Sequence, residues 1–86
     1  MKLRFGSGGC VASGIEARIA GSDAGEAVAA SFYLNRKKAG DDGSAPFERK
    51  LAAKALSRSN KNRVEAIVTT RDGRLTTVQR AAPPHC

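Results

Sequence analysis

The side chains best equipped for specific chemistry in this chain are arginines and lysines. Lys50, Lys54 and Arg58 recur four residues apart, with Arg49 and Lys61 beside them, and Arg71 and Arg74 bracket Asp72-Gly73. Groups placed this way can hold carboxylates or phosphates, arginine through its planar fork and lysine as a point charge. A solvated helix face would show the same row. Against that bland reading, Glu48 is the only acid between Ser44 and Lys61. An exposed helix normally mixes signs, because Glu–Lys pairs four residues apart stabilise it.

Catalysis has less to work with. The single histidine, His85, follows Pro83-Pro84 near the end of the chain, a poor place for a positioned base. No Cys-x-x-Cys, His-Glu-x-x-His or paired-carboxylate pattern occurs, so neither a metal nor a cofactor is expected. Gly6-Ser7-Gly8-Gly9 lacks the Gly-Lys-Ser/Thr ending of a phosphate loop and precedes a strand pattern, so it reads as a flexible turn. Cys10 has no nearby base and reads as a small, partly buried residue. Together Cys10 and Cys86 are too few for a secreted disulfide scaffold, and two free thiols in a reducing cytoplasm are expected, with a Cys10–Cys86 bridge, which needs the tail to fold back, as the lesser reading. One enzymatic class survives, a small basic ribonuclease toxin that cleaves with Arg, Lys and Tyr33. Tyr33 also fits the edge of a helix interface.

The 86 residues carry 15 Lys and Arg against 8 Asp and Glu, a net charge of +7. The excess sits in the second half, where residues 44–86 hold nine basic and three acidic side chains. Such a field raises encounter rates with polyanions. No apolar run reaches the length of a signal peptide or a membrane span, so neither is expected. Three Phe, one Tyr and no Trp make a modest core, with nothing to spare for a deep small-molecule pocket.

The elements that must position these groups are read from periodicity. Met1, Leu3 and Phe5 alternate with Lys2 and Arg4, and Ile15, Ala17 and Ile19 alternate with Glu16 and Arg18, which predicts two strands paired across the glycine turn. Asp23 and Glu26 have capping-box spacing, and Ala24, Ala27, Val28, Ser31, Phe32 and Leu34 form an apolar stripe, which predicts a helix over about 24–38. Arg36, Lys37 and Lys38 then complement its C-terminal dipole. Pro46, Phe47, Leu51, Ala52, Ala55 and Leu56 predict a second helix carrying the basic row. Val-, Ile- and Thr-rich runs on both sides of Asp72-Gly73 predict a hairpin with a two-residue loop. That loop sets Ile67 opposite Val78, Glu65 opposite Arg80, Thr69 opposite Thr76 and Arg71 opposite Arg74. Val64, Ala66, Val68 and Leu75 face inward.

The stretch Glu16–Ser31, centred on Arg18-Ile19-Ala20-Gly21-Ser22-Asp23-Ala24-Gly25, resembles a strand-to-helix junction in some phage-encoded anti-CRISPR proteins that inhibit type I systems. The resemblance implies a stoichiometric inhibitor docked on a nucleoprotein surveillance complex of a host bacterium, and carries over no functional residue. The sequence reading is therefore an α+β domain, β-β-α-α-β-β, with two helices on one face of a mostly antiparallel sheet over residues 1–80 and a flexible tail at 81–86. Its expected role is non-enzymatic docking on an acidic protein surface or nucleoprotein complex through Arg49, Lys50, Lys54, Arg58, Lys61, Arg71 and Arg74. Direct nucleic-acid binding and the ribonuclease toxin are the alternatives.

Overall fold

The computed structural model describes residues 1–6, 9–58 and 62–86. The described residues form seven strands: β1 (Lys2–Arg4), β2 (Ile15–Ala20), β3 (Ala27–Leu34), β4 (Lys37–Asp42), β5 (Glu48–Leu51), β6 (Asn62–Thr70) and β7 (Leu75–Ala82). The only helical pieces among the described residues are single 3-10 turns at Ala24–Glu26 and Ala53–Ala55. The strands form two antiparallel sheets, one ordered β1-β2-β5 and the other β4-β3-β6-β7. Their inner faces share one core. Leu3, Ile15, Ala17, Ile19 and Leu51 come from the first sheet, Ala30, Phe32, Leu34, Val64, Ala66 and Val68 from the second, and Phe5, Phe47 and Leu56 pack among them. Phe32, Val64 and Val68 are wholly buried, and burying each stabilises the fold by about 1.5–3 kcal/mol.

The α+β expectation is overturned, and the reason lies in alanine. Over 24–38 the same apolar residues fit two periods. Ala30, Phe32 and Leu34 also repeat at every second position, and all three are buried, while Ser31 and Tyr33 point outward. Small alanines fill a helix stripe or a strand face equally well, whereas Phe32, Tyr33 and Val28 favour the pleated surface. The deciding local signal is Asn35-Arg36. Both residues have positive φ, 50° and 72°, and Leu34 pairs directly with Lys37. That is a two-residue I′ hairpin loop, for which Asn is a preferred opener. Asp23 makes no helix-capping side-chain bond.

The second expected helix is likewise absent. Phe47 and Leu51 are buried on an extended segment, Lys50 stands on β5, and Lys54 lies in the 3-10 turn. Pro46, read as a helix opener, follows a cis peptide bond in the loop before β5.

The β6–β7 hairpin exists, but one residue out of the expected register. Ile67 opposes Thr77, Glu65 opposes Gln79 and Thr69 opposes Leu75. The loop is three residues long. The Thr70 N–H donates to the Arg74 carbonyl and the Gly73 N–H to the Thr70 carbonyl, with Gly73 at φ 83°. This is a type I turn closed by a glycine bulge, and Asp-Gly serves it as well as it serves the two-residue loop. A one-residue slip moves every side chain on one strand to the other face. Leu75, expected inside, is 70% exposed.

The last six residues are no loose tail. Ala81 and Ala82 belong to β7. Beyond them the Val11 N–H donates to the Pro84 carbonyl, the Cys86 N–H donates to the Val11 carbonyl, and Cys10 is disulfide-bonded to Cys86. The expectation of two free thiols fails because the chain returns to its start, placing together cysteines 76 residues apart. Asn62, the one buried polar residue among the described residues, braces this end. Its amide nitrogen donates to the Ser57 and Pro83 carbonyls, and its oxygen accepts from the Ser57 N–H and the Asn35 side chain.

Candidate functional site

Among the described residues, a gathering of like-charged groups lies on the flank where β4 and β5, the edge strands of the two sheets, approach each other. Lys37 and Lys38 from β4, Lys50 from β5 and Lys54 from the turn after it rim a groove of about 530 Å³. Its floor is apolar, made by Leu34, Ala39, Leu51, Ala52 and Ala55. Lys38 Nζ lies 3.0 Å from Asp41 Oδ2, and that carboxylate holds the ammonium above the usual lysine range. Asp41 is itself pulled below the usual carboxylate range, first by the Ser31 hydroxyl at 2.6 Å and then by Lys38. Lys37, Lys50 and Lys54 make no ion pair with a described residue.

Local sequence explains the convergence. The Asn35-Arg36 turn reverses the chain at once, so Lys37 and Lys38 start β4 rather than ending a helix. A register shift opposite Phe32 and Tyr33 bends β4 at Ala39. Arg49 points to the same flank and packs against Gly40, where a Cβ would stand 2.5 Å from the guanidinium carbon. Glycine at 40 lets that guanidinium lie across the edge of β4. Its positive charge also helps keep Asp41 ionised.

The expected binding residues therefore separate. Lys50 and Lys54 reach the groove and Arg49 sits beside it, although no helix face unites them. Arg58 is exposed in the segment after the 3-10 turn and does not line the groove. Lys61 lies outside the described residues. Arg71 and Arg74 stand at the far hairpin tip and do not oppose each other. Arg74 Nε is 3.2 Å from Asp72 Oδ2, and the tip cleft also holds Asp23 and Glu26, so its charge is mixed. Asp72 is held below the usual carboxylate range by the Thr70 hydroxyl first and the Arg74 N–H second. Lys37 and Lys38 are the residues that sequence reasoning missed, and the Asn-opened turn just before them was the available signal.

Tyr33 is half-buried on the outer face of the four-stranded sheet, opposite Glu65 and Lys38. His85 is half-buried beside Val11 and donates its N–H to the Ser57 carbonyl. The described residues form no cluster of three His, Cys, Asp or Glu able to hold a metal ion. None of their helices is long and apolar enough to cross a membrane.

No family model and no curated protein matches the chain. Among solved structures it is similar to the fibronectin(III)-like modules of CbhA from Clostridium thermocellum, with a TM-score of 0.61 and 15% identity over 99% of this chain and 98% of that one. That likeness shows the fold, a fibronectin III-like sandwich. It overturns the functional expectations that rested on an α+β domain. The stretch Glu16–Ser31 runs from strand through a single 3-10 turn to strand, instead of from strand to helix. The basic helix that would have bound nucleic acid does not exist. The ribonuclease reading finds no support in this fold, and the helix interface offered as the other place for Tyr33 is absent too, since Tyr33 lies on the outer face of a sheet.

Proposed function

We propose that this chain is a non-catalytic binding module that docks an acidic segment of a partner protein in the lysine groove between β4 and β5. The observation that carries this reading is the convergence of four lysines from three stretches of chain around an apolar floor, three of them without an ion-pair partner among the described residues. Like charges are brought together at a cost, and an anionic occupant removes it. Lysines can follow the spaced carboxylates of an acidic segment, and the floor accepts an apolar side chain between them. No aromatic side chain lines the groove as a platform for a base. The Cys10–Cys86 bridge supports work in an oxidising compartment, since such bonds are rare in the cytosol. The expectation of a cytoplasmic location rested on unpaired thiols.

The test is a titration with a peptide of alternating Glu and Ala, followed by amide shifts of the labelled protein. Shifts are expected at Lys37–Ala39 and Lys50–Ala55. The triple variant Lys37→Glu, Lys50→Glu, Lys54→Glu should bind about ten- to a hundredfold more weakly, as the loss of three partly exposed ion pairs implies. Arg71→Glu with Arg74→Glu should bind as the parent does. A triple variant with undiminished affinity overturns the reading.

A further inference from the structure

The two sheets present four edges, and three are guarded. β1 is three residues long, and β5 is four residues, three of them charged. β4 is bent by its register shift and carries Lys37, Lys38, Asp41 and Asp42. Short length, charge and bulges are the usual defences against unwanted strand pairing. β7 is neither short nor bulged and carries a single charge. It runs eight residues, Leu75–Ala82, with Arg80 its one charge and no Gly or Pro.

The backbone phase of β7 is fixed by its loop. The Thr70–Arg74 hydrogen bond makes that pair bonded, so bonded pairs recur at Thr76, Val78 and Arg80. The N–H and C=O groups of Leu75, Thr77, Gln79 and Ala81 then point away from β6. Among the described residues no backbone hydrogen bond outside the β6–β7 ladder involves Leu75–Ala82. Only beyond it, at Pro84–Cys86, does an extended stretch of the chain, Val11, bridge to this side of the molecule.

Beside this edge runs a groove of about 640 Å³ between β7 and β1. Lys2, Leu3 and Arg4 line one wall, and Val78, Gln79 and Arg80 the other, with no acid in the lining. Arg80 is committed internally: its Nη1 donates to the Phe5 carbonyl at 3.0 Å, and its guanidinium lies 4.5 Å from the centre of the Phe5 ring. Lys2 and Arg4 make no ion pair with a described residue.

We infer that β7 accepts an extended segment of a partner protein as a fifth strand of the four-stranded sheet, and that this segment alternates acidic and apolar side chains. Main-chain hydrogen bonds to Leu75, Thr77, Gln79 and Ala81 supply the pairing, and alternate side chains supply the selectivity. Side chains facing the groove meet Lys2 and Arg4, so they are acidic. Side chains on the outer face lie beside Leu75, which with Val28, 43% exposed, is one of two exposed large hydrophobics among the described residues. The register shift after Ala27 turns Val28 outward next to Thr69, the residue paired with Leu75. An apolar side chain at that point therefore finds a partner surface. A second copy of this chain fits badly: an antiparallel pair of β7 strands centred on Thr77 sets Arg74 opposite Arg80, and each copy carries +7.

The probe is a synthetic heptapeptide alternating Asp and Val, titrated to millimolar concentration into the labelled, disulfide-bonded protein. The amides of Leu75, Thr77, Gln79 and Ala81 should shift and gain hydrogen-exchange protection. Thr77→Pro removes one outward N–H and no ladder bond, and edge strands tolerate proline. It should weaken binding about tenfold, the loss expected for one main-chain hydrogen bond. The same peptide with N-methyl groups along its pairing edge should not bind, a result independent of how the variant folds. Absence of shifts along β7, shifts confined to the Lys37–Lys54 groove, or undiminished binding of the N-methylated peptide would each overturn the inference. So would concentration-dependent protection of β7 without peptide, which would make the occupant a second copy. The triple variant Lys37→Glu, Lys50→Glu, Lys54→Glu should leave β7 binding intact, which separates failure here from failure of the lysine groove.

Discussion

The two flanks of this sandwich meet the same problem, unpaired strand edges beside positive charge, in different ways. At the β4–β5 flank side chains guard the edge: lysines crowd the rim, Asp41 anchors one of them, and Arg49 lies across Gly40. At the β1–β7 flank the backbone of β7 is left open, and closure comes from covalent chemistry at one end, through Cys10–Cys86. One flank is suited to reading charge on a partner's side chains, the other to pairing with its main chain. The first depends on screened surface interactions, whereas the second depends on a geometry that the disulfide and Asn62 hold in place.

Breaking the disulfide should have the largest effect. It closes nearly the whole chain, and the model in which it restricts the unfolded state gives a stabilisation of about 2–5 kcal/mol. Cys10→Ser with Cys86→Ser should lower the denaturant midpoint by that equivalent. Hydrogen-exchange protection should fall at Val11 and Cys86 before it falls at Lys37–Asp42. A loss spread evenly over both flanks would show that the bridge does not serve the β1–β7 side selectively.

A smaller effect of opposite sign is expected at the other flank. Arg36 holds φ 72° in the β3–β4 turn, a conformation that glycine adopts without strain. Arg36→Gly should raise stability by about 0.5–1 kcal/mol in equilibrium unfolding, because the strain removed exceeds the added freedom of the unfolded chain. No gain would mean that Arg36 makes compensating contacts at the groove's end.

The smallest effect is pH-dependent. The carboxyl groups of Asp41 and Asp72 titrate below their unfolded values in the folded chain, Asp41 through Ser31 and Lys38, Asp72 through Thr70 and the Arg74 N–H. Their contribution is complete above the unfolded carboxylate range and disappears as pH falls through the lowered folded values. Asp41→Asn should flatten the acid limb of a stability–pH curve, and the Lys37 and Lys38 amides should lose their acid-induced shifts. An unchanged acid limb would mean that Asp41 does not organise the lysine rim.

The sequence by itself determined β1 and β2, where apolar residues alternate with charged ones, and β6 and β7, where Val-, Ile- and Thr-rich runs flank Asp72-Gly73. It also determined that the chain turns at Asp72-Gly73. It could not decide the alanine-rich middle, because alanine buries too little surface to fix a period, and Ala30-Ser31-Phe32-Tyr33-Leu34 satisfies two. Nor could it choose between two loops that both accept Asp-Gly, a choice that moved Leu75 from the core to the surface. Only the tertiary structure brought Lys37 and Lys38 to Lys50 and Lys54, and Cys10 to Cys86. Both meetings depend on which strand lies at which edge, and edge order is set by the packing of two sheets over one core, not by any spacing along the chain.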